Sequence, residues 1–173
     1  IFGEKSFAIL FLLFMFIPAL PVPTGGITNL VLLPTVMVAS LQMIFGRRTL
    51  WLPWFMKRIV LGQAALKKGL PFMVRRIRWM EKYSRPRMAH LFDKALFRSI
   101  LGLTVFTFAV TAWISPPFSF LDTLPSMGGV LVSLAIILED FSFYIAGLIV
   151  GSVGIGIVVT LADLVIGFIQ KVF

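Results

Sequence analysis

Two apolar stretches of this chain are each cut in the middle by prolines, and the cuts limit what the chain can become. The first lies within Phe16–Pro34, where Pro18, Pro21 and Pro23 precede Thr24, Gly25 and Gly26. The second lies within Trp113–Pro125, where Ser115, Pro116 and Pro117 follow an apolar run. Proline has no amide hydrogen to donate and its ring clashes with the preceding turn, so these clusters stop a helix. The run Phe7–Leu20 makes ~21 Å of helix, and the run leading to Gly46 makes ~26 Å. Both fall short of the ~30 Å hydrocarbon core of a bilayer. Two arrangements satisfy these lengths. In one, the hairpin re-enters, its turn covered by protein or lining a wet cavity, because lipid cannot satisfy irregular backbone. In the other, two tilted helices cross a thin membrane and the turn is an ordinary external loop.

Composition makes a membrane the expected solvent. Of the 173 residues 59% are hydrophobic and 13% charged, against about 25% charged in soluble domains. Apolar residues concentrate in Phe7–Phe45, Ile100–Leu138 and Phe141–Phe173. We expect an all-α polytopic membrane protein forming one membrane domain. The absence of cysteine excludes disulfides and thiolate metal sites, and the single histidine, His90, excludes a multi-histidine metal centre within one chain. No metal or cofactor is expected. The chain opens at Ile1, and residues upstream of it are expected. Phe7–Ile17 has the length of a signal-peptide core, but no small-residue cleavage site follows it and further apolar runs do.

Charge orients the chain. Residues 47–98 hold 14 of the 16 Lys and Arg against Glu81 and Asp93, a local charge of +12; the remainder sums to −3. Basic segments beside membrane helices stay in the cytoplasm, which assigns 47–98 to the cytoplasmic face. Arg47 and Arg48 are followed by Trp51 and Trp54, a pairing typical of headgroup depth. In Phe55–Leu70, Phe55, Ile59 and Leu66 share one helical face and Lys57, Arg58, Lys67 and Lys68 surround the other, an amphipathic interfacial pattern that Val60 and Leu61 spoil. Arg75, Arg76 and Arg78 flank a second, weaker series, which Tyr83–Arg87 interrupts. Anionic phospholipid is the expected partner of Arg47, Arg48, Lys57, Arg58, Arg75, Arg76, Arg85 and Arg87. The interleaved Trp, Phe and Met argue against nucleic acid.

The second half repeats the grammar of the first. Ser6 reads as the N-cap of the first helix and Thr28 or Asn29 as that of the next; Asp122 or Thr123 caps a helix with Pro125 in its first turn. Aligning Ser6 with Ser99 places Pro23 on Pro116 and Leu41–Phe45 on Leu134–Leu138, with a two-residue slip near Pro34 and Pro125. The units are 6–46, a basic segment 47–98, 99–140, and a C-terminal helix or bent helix pair 141–173. Arg47-Arg48 becomes Glu139-Asp140, a reversal that fits an inverted repeat. Inversion needs an odd number of crossings through the +12 segment, which favours both hairpins entering from the same side. Glu139 and Asp140 read as a solvated helix end. Gly147 and Gly151 form the Gly-x-x-x-Gly spacing of close helix contact, either in a dimer or within one chain.

The order of these features resembles the ExoD family of bacterial exopolysaccharide-synthesis-associated membrane proteins. The matching residues are Gly3–Phe7, Pro21-Val22-Pro23, Leu41–Arg48 with Trp51-Leu52-Pro53, Arg85-Pro86-Arg87 and the second proline turn with Leu124-Pro125. The resemblance implies a link to exopolysaccharide production and supplies no catalytic residues.

If the two turns meet, Pro23, Thr24, Thr28, Asn29, Ser115, Pro116, Asp122 and Thr123 line a polar pocket at helix N-termini, a common plan for transport sites. The bland reading makes Asp122 a helix cap. Gln42 reads as a bond to another helix, Asp163 as an intramembrane acid or one that reaches the interface, and His90 as a surface residue. No nucleophile–base pair is visible, so an enzyme is not expected. The first functional expectation is a transporter or lipid-handling protein with its site between the turns, forming a homodimer or larger assembly. The alternative is a non-transporting structural or regulatory partner of an exopolysaccharide synthesis or export machine.

Overall fold

The computed structural model describes residues 3–20, 28–47, 51, 75, 89–92, 94–116 and 120–172. Among these residues there is no strand. The helices are α1 (Gly3–Ala19), a π-helical turn (Thr28–Leu32) running directly into α2 (Leu33–Ile44), α3 (Ala89–Phe92), α4 (Ala95–Ile114), α5 (Thr123–Leu138) and α6 (Phe141–Val172). Helix α1 begins at Gly3, so Ser6 lies inside it and is not its cap. It also passes Pro18. A proline so close to a helix end sacrifices little of the hydrogen-bond ladder. Helix α5 starts where Asp122, Thr123 and Pro125 suggest. The C-terminal stretch is one continuous helix of 32 residues, not a bent pair.

The two halves of the chain interleave. Helix α1 packs on α5 and α2 on α4, each more extensively than α1 on α2 or α4 on α5. Three contacts fix the ends. Lys5 Nζ lies 3.1 Å from Glu139 Oε1. Ser99 Oγ donates to the Ile44 carbonyl at 3.0 Å. Phe97 packs on Phe141 and edge-on against Tyr144, centroids 6.2 and 5.4 Å apart. The starts of α1 and α4 and the ends of α2 and α5 therefore share one end of the bundle, the entrance end. The ends of α1 and α4 and the starts of the π-helical turn and α5 lie at the other, the tip end.

Helices α2 and α5 end alike. Gly46 has φ 71° and Glu139 φ 53°, both left-handed. The Arg47 amide donates to the Gln42 carbonyl at 3.0 Å, and the Asp140 amide to the Ala135 carbonyl at 3.2 Å. These are the long closing bonds of a helix that stops on a left-handed residue. The alignment of Ser6 on Ser99 superposes Gly46 on Glu139 and Gln42 on Ala135.

Phe7, Phe11, Met15, Leu33, Val36, Met43, Leu101, Val105 and Val132 fill the core between the helices. The outer surface is apolar too: Ile9, Leu103, Ile114 and Ile149 are exposed. Helices apolar all round suit a lipid surround. Ala95–Ile114 and Phe141–Leu164 are long and apolar enough to cross a membrane, and the fold is compatible with a membrane protein.

Helix α6 lies along α5 through glycines. A methyl group at Gly128 would stand 2.7 Å from Gly151 Cα, and one at Gly147 would stand 2.9 Å from the Gly128 carbonyl oxygen. The Phe108 ring fills the space over Gly151. The Gly-x-x-x-Gly pair thus serves packing within the chain. Gly154 meets Leu124 and Pro125 at the start of α5. Beyond that level, among the described residues, Gly156 of α6 faces open space and Ile157, Val159, Leu161 and Leu164 are exposed.

Candidate functional site

The tip end gathers hydroxyls and one carboxylate. Ser115 closes α4, buried, its Oγ donating to the Thr111 carbonyl at 2.9 Å. Pro116 follows, exposed. Asp122 precedes α5, half-buried, with φ −74° and ψ −19° and no side-chain capping bond. A capping side chain reaches back to the first amides from extended backbone; helical dihedrals at Asp122 do not provide that geometry, so the capping reading fails. Asp122 lies in the connection outside the helices, where burial raises its carboxyl above the ordinary 3.8, partly offset by its own backbone hydrogen bond. Phe120, exposed, holds a left-handed φ of 57° in the same connection, a conformation unfavourable for an aromatic residue.

Thr123 Oγ1 and Ser126 Oγ are buried without a hydrogen-bond partner. Ser126 was not among the sequence candidates. Its signal is a tripeptide: Leu124-Pro125-Ser126 matches Leu33-Pro34-Thr35, and both hydroxyl residues are fully buried. Thr35 Oγ1 donates to the Val31 carbonyl at 2.6 Å in the π-helical turn, whereas Ser126 makes no such bond. Thr28 and Asn29 open that turn at the tip end. Pro23 and Thr24 lie outside the described residues. The structure thus brings Ser115, Pro116, Asp122 and Thr123 to one end of α4 and α5, with the backbone of Thr28 and Asn29 at the same end of the bundle.

The entrance end is built differently. Gln42, buried, reaches Trp51 rather than another helix: its Nε2 donates to the Trp51 carbonyl at 2.7 Å, and the Trp51 amide donates to its Oε1 at 2.8 Å. This two-bond clasp and the left-handed Gly46 turn the chain sharply after α2. Arg47 and Trp51 emerge exposed from that corner. Arg75 is exposed as well. Arg48, Lys57, Arg58, Arg76, Arg85 and Arg87 lie outside the described residues. His90 is exposed on α3, and Asp163 on the free part of α6.

Of the expected solvated end, only Glu139 keeps solvent exposure. Asp140 is buried and caps α6, its Oδ1 accepting from the Ser142 amide at 3.0 Å. Glu139 receives Lys5 across the entrance. The reversal of charge relative to Arg47-Arg48 therefore has a local cause: Glu139 pairs with Lys5 of α1 and Asp140 caps α6. Among the described residues no three His, Asp or Glu side chains gather as a metal site.

The features at both ends fall inside the span of a known family: a family model described as "Exopolysaccharide synthesis, ExoD" matches residues 1–160. The chain belongs to the ExoD family. No curated protein and no solved structure matches it. ExoD membership links the chain to exopolysaccharide synthesis. Gln42, Gly46 and Trp51, which fall in the stretches that carry the ExoD resemblance, now have a physical role: Gly46 supplies the left-handed turn after α2 and Gln42 holds Trp51.

Proposed function

We propose that this is a bacterial inner-membrane protein of exopolysaccharide synthesis in which two re-entrant hairpins, α1–α2 and α4–α5, hold a polar site between their tips for transport or lipid handling. The supporting observation is the mismatch between α6 and its neighbours. From Phe141 to Gly154, where α6 meets the start of α5, the helix rises ~20 Å; the remainder to Val172 adds ~27 Å. That remainder is mostly exposed as far as Leu164 and apolar except for Thr160 and Asp163. If α6 crosses a hydrocarbon core of ~30 Å from the entrance end, the tips stop ~10 Å short of the far surface. Polar backbone at that depth has to be shielded by protein or line a wet cavity.

The crosswise pairing of α1 with α5 and α2 with α4, and the matched ends at Gly46 and Glu139, support reading the hairpins as repeats entering from one side. The basic charge of 47–98 and the exposed Arg47 at the entrance support reading that side as cytoplasmic, facing anionic phospholipid. Chemistry at the tips is binding rather than catalysis.

The chain has no cysteine, which makes the test direct. In Thr24→Cys/Asp122→Cys, the two thiols are expected to cross-link and to resist an impermeant reagent added from the periplasmic side. Free reaction of both from that side without cross-linking marks the turns as external loops. The reading as a structural partner of an exopolysaccharide machine then replaces the pocket.

A further inference from the structure

Asp122 and Thr123, four and three residues before Ser126 at the start of α5, are each its neighbours on the helix. A helical Cα–Cβ bond tilts toward the N-terminus, which directs Ser126 toward the turn that holds Asp122 and Thr123. The Ser126 hydroxyl departs from the habit of this bundle. Thr35, Ser40, Ser99, Thr104, Thr107, Thr111, Ser115, Ser133 and Thr160 each donate to a carbonyl three or four residues earlier. Ser126 is fully buried, and its oxygen, like that of Thr123, has no partner. A buried hydroxyl without a partner is destabilising, so two neighbouring ones near a carboxylate point to a ligand coordinated by oxygen.

Charge selects the ligand. Helices α1 and α4 end at the tips while α2 and α5 begin there, and their opposite end dipoles offset one another. The Asp122 carboxylate is left as the net charge. No Lys or Arg occurs in Ser6–Gly46 or in Ser99–Gln170 to neutralise it. A carboxylate withdrawn from water either takes up a proton, the direction in which burial pushes Asp122, or is balanced by a cation. An anion meets no cationic partner among the described tip residues, and a single carboxylate balances a single positive charge. Carboxylate and hydroxyl oxygens are hard ligands suited to such an ion.

We propose that Asp122, Thr123 and Ser126 bind a monovalent metal cation at the start of α5. The site rests on the reading of the tips as withdrawn from bulk water and supplies that pocket with an ion.

The test uses the purified full chain in detergent, with Na+ exchanged for N-methylglucamine at constant ionic strength and thermal unfolding as the readout. Wild type is expected to show a saturable, Na+-specific rise in midpoint, and Asp122→Asn none. Ser126→Ala is expected to need about tenfold more Na+ while matching or exceeding wild type without Na+, because it removes an unsatisfied hydroxyl. Equal midpoints for wild type in both salts, or a Ser126→Ala loss of the same size in both, would overturn the site. Cross-linking of the tips with no Na+ response removes the ion alone and leaves the pocket reading standing.

Discussion

Replacing Gly128 by alanine tests the packing that holds α6 in place. The added methyl would stand 2.7 Å from Gly151 Cα, 2.9 Å from the Gly147 carbonyl oxygen and 2.9 Å from the Gly151 amide nitrogen. Ordinary contacts between such atoms lie at about 3.5–4.0 Å. All three neighbours are backbone, so no rotamer change relieves the clash. Helices α5 and α6 would have to part by roughly 1 Å along the most extensive helix contact of the bundle. Overpacking of this kind costs about 1–3 kcal/mol. Gly156→Ala is the internal control, because nothing lies within 4 Å of a methyl there. It should be neutral or stabilising by up to ~1 kcal/mol through helix propensity. The assay is unfolding of the full chain by SDS titration into mixed micelles, followed by circular dichroism. Gly128→Ala unfolding at the wild-type SDS fraction, or Gly156→Ala losing as much stability as Gly128→Ala, refutes the glycine crossing.

The helix ends give further expectations in the same assay. Gly46→Ala places a Cβ in left-handed backbone and should cost ~1–2 kcal/mol. Glu139→Gly relieves the same conformation and loses only a largely exposed ion pair to Lys5, worth at most ~1 kcal/mol, so its stability should equal or exceed wild type. Asp140→Ala removes the cap of α6 and should cost ~1 kcal/mol. Gln42→Leu breaks both bonds to Trp51 and should speed hydrogen exchange at the Trp51 amide, with α2 unchanged.

Much of the helical plan was legible because proline and periodic charge act locally. Pro116, Pro117 and Pro125 bracket the start of α5 in the sequence, and Gly46 marks the end of α2. Features that depend on neighbours were not legible. Whether Glu139-Asp140 is solvated depends on Lys5, more than a hundred residues earlier, and on the start of α6. Asp122 as a cap was a sound inference from residue type, overturned by its helical dihedrals. Ser126 escaped notice because a serine within a helix normally satisfies itself on its own backbone. Gln42 signalled a buried polar bond correctly but not its partner, since the chain returns to it only at Trp51. Gly147 and Gly151 were legible as a close contact, and only Gly128 and Phe108 decide that it lies within the chain.

The depth of the tips decides the account. Nitroxides at Phe120 in the tip and Ile157 on α6 beyond Gly154, each through a single cysteine, report depth in oriented vesicles. With re-entrant tips, Ile157 is reached by oxygen and shielded from a water-soluble relaxing agent. Phe120 is then not relaxed when that agent is confined to the periplasmic side. Relaxation of both labels by the agent from that side would place the tips and the free half of α6 in external water, and the re-entrant hairpins would be contradicted.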